Sequence, residues 1–296
     1  MQKVQIQEIP GERVTPQRRS VTQRIMHDRR ALVGFGIIVF FSALAIAAPV
    51  AAPYSPYSFP APGHPYAPPG PRFLLGTDYL GQDVLSEIIY GGRVSILVGL
   101  VVAILSTGLG TLVGVIAGYY KKTIDEGLMR LTDIVLILPP LPLMIILAAY
   151  LGPSIKTVIF VLTVASWPAV ARVVRSQTLS LRERPFTDSA RVIGASDFHI
   201  ITRLLLPNLA TIIAANAVLM VTTAIVGEAA LDFIGLGDIT VVSWGTMLYW
   251  AQSYAIFNGA WWWVITPGLC IVLVGLAFVL ISVSIESVFN PRLRSV

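Results

Sequence analysis

An all-α integral membrane protein with six membrane-spanning helices is the fold this chain predicts, on three observations. Hydrophobic residues make up 55% of the 296 and charged residues only 12%, where a soluble domain carries about 25% charged. The apolar residues gather into runs long enough to cross a hydrocarbon core of about 30 Å as helices. With the N-terminus inside, 18 of the 21 Lys and Arg residues fall in the inner segments, and only Arg72, Arg93 and Lys156 lie outside. That bias obeys the positive-inside rule and places both termini in the cytoplasm of a cell-membrane protein. Lipid contact, rather than exclusion of water, then organises the helices.

The elements follow in order. Residues 1–30 are polar and carry Arg13, Arg18, Arg19, Arg24, Arg29 and Arg30, which reads as a cytoplasmic tail. Residues 31–53 are uncharged and form the first span, without a cleavage site that would mark a removable signal. Residues 54–93 are extracytoplasmic. Their first part is dense in Pro and Tyr, forms neither helix nor sheet and is expected to be extended. Their second part, Arg72 to Arg93, has the spacing of a short amphipathic helix around Val84, Leu85, Ile88 and Ile89. Residues 94–288 are read as a five-helix core. Its spans are Val94 to Tyr120, Leu131 to Leu151 with Pro139, Pro140 and Pro142 inside it, Ser154 to Ala171, Leu209 to Leu231, and Val264 to Val288. Residues 289–296 return to the cytoplasm.

Composition also excludes functions. The surplus of five positive charges is spent on membrane orientation, so no nucleic acid is expected as a partner. Cys270 is the only cysteine and allows neither a disulfide framework nor a thiolate metal site. His27, His64 and His199 are scattered, so no catalytic or metal-binding residues are expected. There is no G-x-x-x-x-G-K-[ST] phosphate loop. The glycines of Gly108 to Gly114 lie inside a span and read as close helix packing through small residues.

One stretch is too charged and too structured for a connector. Residues 182–207 carry Arg182, Glu183, Arg184, Asp188, Arg191, Asp197 and Arg203 between two apolar runs. Pro185 or Thr187 starts a helix with Asp188 in its first turn, Gly194 ends or bends it, and Ser196 with Asp197 caps a second helix running to Leu206 and Pro207. A helix–Gly–helix between two spans makes a stiff lever.

This stretch resembles the EAA motif of ABC importer permeases. Asp188, Ser189 and Ala190 occupy the EAA positions, Gly194 follows after three residues, and Leu204, Leu206 and Pro207 fall at its end. The stretches Leu75 to Gly99, Gly118 to Leu143, Gly194 to Asn208, Gly227 to Gly237, Ser243 to Leu248 and Pro267 to Phe278 resemble, in family order, the C-type permeases of the dipeptide/oligopeptide/nickel family. Near the C-terminus only Asn290, Pro291 and Arg292 keep the family pattern. The resemblance implies a type I importer core with one additional N-terminal span and a cytoplasmic coupling helix. It implies a second, B-type permease subunit, two ABC ATPases carrying ATP and Mg, an extracytoplasmic binding protein, and no cofactor in this chain. Peptides or oligosaccharides are the cargo expected, and the family also carries nickel. Phe186, Thr187, Asp188, Ser189, Ala190, Arg191, Gly194, Ala195, Leu204, Leu206 and Pro207 become the ATPase-coupling residues.

Outer candidates are Glu228, Asp232, Trp244, Tyr249 and Trp250, read as pathway or outer-gate residues. Glu228 falls about 30 Å beyond Pro207 along a helix, near the outer interface, where bonding to the outer loop competes with a role in transport. Five of the six Trp lie between Trp244 and Trp263, as an interfacial belt or a stacking surface. Asp133 is expected to pair with Arg130 or a neighbouring Arg. An ion-driven secondary transporter would show midplane ionisable residues and inverted repeats, and a non-transport scaffold would not need kinked spans joined to a basic helix pair.

Overall fold

The computed structural model describes residues 28–289, with side chains to residue 287; most of the two expected tails lies outside them. Among the described residues the secondary structure is helical apart from one isolated bridge between Thr77 and Asp83. Five helices are long and apolar enough to cross a membrane, and a bent pair makes a sixth if it counts as one span.

Helix α1, Arg29–Ile46, starts at Asp28, whose side chain accepts from the Arg30 N–H at 2.9 Å. It lies against the last helix, where Gly34 lets the backbones approach: a Cβ there would stand 2.6 Å from the Ala277 carbonyl oxygen. The outward side chains Leu32, Phe35, Val39 and Phe40 are apolar and exposed, as a lipid-facing stripe should be. The helix stops short of the expected residue 53. After a single turn over Ala48–Ala51, the residue before Pro53 is extended, as a following proline requires.

Residues 53–83 correct the expectation of an extended segment. They fold into a compact outer pad whose backbone groups are satisfied irregularly: Gly63 donates to the Gly81 carbonyl, Tyr66 to Asp78 and Thr77 to Ala67. The Thr77 hydroxyl donates to the His64 carbonyl and accepts from the Ala67 N–H. Proline forbids repetitive ladders, not compactness.

Helix α2, Val84–Tyr120, has 37 residues, about 55 Å at 1.5 Å per residue. The expected amphipathic helix is no separate element but the outer end of this span, capped by Asp83, which accepts from Ser86. Gly110, Gly114 and Gly118 seat α2 on α5, Ile155–Arg182: a Cβ at each would lie 2.6 Å from Val170 Cβ, the Ala171 oxygen and Thr178 Cβ respectively. This is the small-residue packing expected of the Gly108–Gly114 run, although Gly108 itself faces open space.

The expected span Leu131–Leu151, with its three prolines, falls on two helices, α3 (Lys122–Ile137) and α4 (Pro140–Leu151), bent by 88° and apolar enough to cross when counted together. Leu138 precedes proline and is extended, while Pro140 opens α4 where a missing N–H costs nothing. The charged α3 is held to α5 by Arg175, which engages both carboxylate oxygens of Asp125, and by Arg172, which pairs with Asp133 at 2.6 Å. Arg130 pairs instead with Glu126.

A short helix α6, Pro185–Val192, follows α5; α7, Leu206–Phe233, and α9, Trp261–Phe289, are the remaining spans. Between them lies α8 (Trp244–Asn258), a helix opened by a capping box of Ser243 and Thr246. Trp244 and Trp263 are fully buried and Trp262 nearly so. Only Trp261, 61% exposed, fits the interfacial belt.

Candidate functional site

The segment after α5 is built as a braced lever. Thr187 is fully buried, and its hydroxyl donates to the Leu181 carbonyl at 3.0 Å, which pins α6 to the end of α5. Ala190 faces the same way, nearly buried. Asp188 and Arg191 pair at 3.1 Å on the exposed side, and the Ser189 hydroxyl donates back to the Pro185 carbonyl. Gly194 ends the turn at φ +82° with nothing within 4 Å of where a Cβ would be. Its requirement is therefore backbone conformation, not space.

Beyond Gly194, Ser196 accepts from the His199 N–H and starts the helical turn Asp197–His199. The chain then widens into a π-helical stretch, Ile200–Leu205, in which the Leu206 N–H reaches the Ile201 carbonyl. Pro207 is the cause: it has no N–H for the preceding turn and crowds its carbonyl, so the turn opens by one residue before α7 begins. Leu204 and Leu206 are half-buried against the core, whereas Pro207 is exposed.

The brace that the sequence reading missed is Tyr119, 4% exposed at the end of α2. Its hydroxyl donates to Asp197 Oδ1 at 2.6 Å, and the guanidinium carbons of Arg182 and Arg191 lie 5.7 and 5.6 Å from its ring centroid. Beside it Lys121 pairs with Glu183 at 2.7 Å and holds that carboxyl below the ordinary carboxylate range. One aromatic ring thus gathers the ends of α2 and α5, α6 and the start of the turn into α7. A tyrosine ending a span, next to two lysines, was the available signal.

Also missed was what the lever presents. Val192, Ile193 and Phe198 are 86, 83 and 77% exposed around Gly194, and Phe186 is 40% exposed. These apolar side chains make an exposed patch within the segment richest in charge.

The outer candidates divide. Glu228 and Asp232 are buried near the end of α7. The Ser95 hydroxyl of α2 lies 3.2 and 3.1 Å from the two Glu228 oxygens, Ser243 donates to Asp232 at 2.5 Å, and the Trp244 N–H reaches Ser95. The Trp244 indole donates to the Ile88 carbonyl at 3.0 Å. These residues tie α2, α7 and α8 into one knot. Glu228 is bonded to α2, and it is Asp232 that bonds to the outer loop. Tyr249 and Trp250 are half-buried on α8, with Trp250 stacked on Tyr79 of the outer pad at 5.4 Å. Among the described residues no group of three or more His, Cys, Asp or Glu side chains stands where it could hold a metal ion.

With this geometry established, known proteins provide the context. Residues 110–295 match the family model described as a binding-protein-dependent transport system inner membrane component, and residues 17–69 match the N-terminal transmembrane domain of oligopeptide transport permease C. The chain is 36% identical to a putative peptide transport system permease protein of Brucella abortus, over 92% of this chain and 91% of that one. It is 35% identical to a di/tripeptide transport system permease protein of Pseudomonas aeruginosa, over 92% and 91% of the two chains. Against a dipeptide transport system permease protein of Bacillus subtilis the identity is 33%, over 92% and 85%. The fold is similar to that of the inward-facing MetNI methionine ABC transporter, with a TM-score of 0.56 and 18% identity, covering 69% of this chain and 97% of that one.

Proposed function

The chain belongs to the binding-protein-dependent inner membrane components, the permease subunits of ABC importers, and from that premise we propose that its cargo is a peptide and that α6 with Gly194 is the element an ATPase subunit grips. The chain is a multi-pass membrane subunit of an ATP-driven importer that passes substrate from an external binding protein inward; hydrolysis belongs to partner subunits. Peptide cargo is supported by relatives named for peptides that match over nine-tenths of the chain.

The observation that carries the coupling role is the exposed apolar edge of Phe186, Val192, Ile193 and Phe198 on a helix held rigidly from behind by Thr187 and Tyr119. An ATPase groove would cover that edge. We place there two ATPases bearing ATP and Mg, one on this chain and one on a B-type second permease subunit, with both termini of this chain on the same cytoplasmic side. When the ATPases close, α6 is displaced as a unit. Its three attachments pass the motion on: Thr187 to α5, Tyr119 to α2, and the π stretch to α7. Phe186, Asp188, Ser189, Arg191, Gly194 and Ala195 form the gripped surface and its hinge, while Thr187, Ala190, Leu204, Leu206 and Pro207 fix it to the spans.

The test is co-purification of the assembled importer with a double substitution, Ile193→Asp and Phe198→Asp, at two highly exposed positions. The ATPases should be lost while the chain inserts normally. An ATPase pair that stays bound would refute this docking surface. Uptake of labelled alanylalanine by proteoliposomes holding the full importer and its binding protein tests the cargo.

A further inference from the structure

A cavity of about 170 Å³ lies between the outer pad, the loop before α8, and α8 itself, and opens to solvent. Its lining includes Asp78, Tyr79, Gln82, Glu87, Trp250 and Trp263, and no Lys, Arg or His. Two of these side chains are over nine-tenths buried, and each carries an oxygen without a donor, although the Gln82 amide nitrogen donates to the Ser58 carbonyl at 2.7 Å. Glu87 is 8% exposed and Gln82 6%, and Oε2 of the first and Oε1 of the second accept no hydrogen bond. The indole N–H of Trp263 is likewise buried without a partner.

Asp78 is placed by the backbone, its Oδ1 accepting from the N–H groups of Leu80 and Gln82 at 2.9 and 2.6 Å. Burial pushes its carboxyl up to about 6 despite those donors. Stacking fixes the wall opposite. Tyr79 lies over Trp250, Tyr254 and Trp263 with ring centroids 5.4, 4.9 and 5.5 Å apart.

Buried acceptors without donors are expensive, and structures retain them where something else supplies the donor. Two carboxyls and an amide oxygen call for a cation rich in N–H groups. A primary ammonium offers three donors and no acceptor. A divalent metal fits poorly, since no third His, Cys, Asp or Glu joins the pair in a metal-holding arrangement among the described residues. The aromatic wall lowers the local dielectric, which strengthens a charge pair, and tolerates a cation at its faces.

We propose that this cavity is a receiving subsite for a primary ammonium group of the cargo, held by Glu87 and Asp78 with the Gln82 amide oxygen. The subsite rests on the peptide reading and deepens it. A peptide brings such a group at its N-terminus or on a lysine side chain, and the subsite would take either as cargo leaves the binding protein.

The assembled importer tests this by tryptophan emission, since Trp250 and Trp263 stand in the wall. Alanylalanine and N-acetyl-alanyl-lysine should shift emission, and N-acetyl-alanylalanine should not; the first two separate the two sources of the amine. Glu87→Gln should raise the half-saturating concentration of the amine probes at least ten-fold. In proteoliposomes it should cut alanylalanine uptake at least five-fold more than it cuts ATP hydrolysis stimulated by the loaded binding protein. If uptake and stimulation collapse together, the carboxyls seat a basic side chain of the binding protein and the proposal is overturned. If the wild type imports alanylalanine while Glu87→Gln changes neither readout, the subsite is overturned and the peptide reading stands. If the wild type imports no peptide yet shows the amine response and loses it in Glu87→Gln, the subsite stands and the peptide reading falls. Should Glu87→Gln fail to assemble, Asp78→Asn replaces it with the same expectations, because the Asn carbonyl still accepts both backbone N–H groups.

Discussion

The hydroxyl of Tyr119 donates to the Asp197 carboxylate at 2.6 Å across 78 residues of sequence. That bond joins the inner end of α2 to the first residue of the turn leading into α7. Removing it with Tyr119→Phe keeps the ring under Arg182 and Arg191 and leaves Asp197 to water. A hydrogen bond to a charged group contributes about 1.5–3 kcal/mol, and the exposed position of Asp197 puts this one at the low end. The importer should still assemble, but alanylalanine transported per ATP hydrolysed should fall several-fold. An unchanged ratio in proteoliposomes would remove Tyr119 from the lever.

Gly194 is constrained by its φ of +82° and not by space. A β-branched residue there costs about 1–3 kcal/mol, whereas Asn tolerates the left-handed region. Gly194→Val should therefore uncouple ATP hydrolysis from uptake, while Gly194→Asn stays close to wild type. Equal behaviour of the two variants would show that the backbone turn is not what matters.

Along α2 the glycines are not equivalent. Gly114→Leu would drive a side chain into the Ala171 carbonyl on α5, whereas Gly108 faces nothing within 4 Å. Overpacking of this kind costs about 1–3 kcal/mol or more. Thermal unfolding in detergent should show a drop of several degrees for Gly114→Leu and little change for Gly108→Leu.

The outer pad should respond to pH through Asp78. Burial raises its folded-state value to about 6 from the ordinary aspartate value of 3.8, so between those limits the folded form binds more protons than the unfolded one. Stability then falls as pH rises from about 4 to about 6 and is level above, by at most a few kcal/mol. Protease cleavage within residues 53–83 at a fixed protease activity should be slower at pH 5 than at pH 7. Asp78→Asn should flatten that difference.

Much of this was legible in the residues because membranes leave little choice. Uncharged runs such as Val94 to Tyr120 had to be helices, and Pro185 or Thr187, Gly194 and Ser196 read as a helix start, an end or bend and a cap, which the structure shows at Pro185–Val192, Gly194 and Ser196. What escaped was tertiary. Nothing local distinguishes a proline-kinked span from two helices at 88° around Pro139, since the bend depends on what α3 and α4 pack against. The outer pad was misread as extended because its order comes from bonds such as Gly63 to Gly81, which no periodicity announces. Tyr119 is marked in the residues only as a tyrosine ending a span next to two lysines; its role emerges where α2, α5 and the turn before α7 meet at its ring.

Helix α2 begins at the outer pad, five residues beyond Tyr79, and ends at Tyr120, next to Tyr119, without a proline or a break over 37 residues. A rod of that kind transmits displacement instead of absorbing it. Whatever grips the inner end of this subunit therefore also sets the position of Glu87, one turn from the other end. Two reporter groups attached at residues 85 and 120 should accordingly change environment in the same kinetic phase after ATP is added, and cargo admission and nucleotide state become readings of a single coordinate.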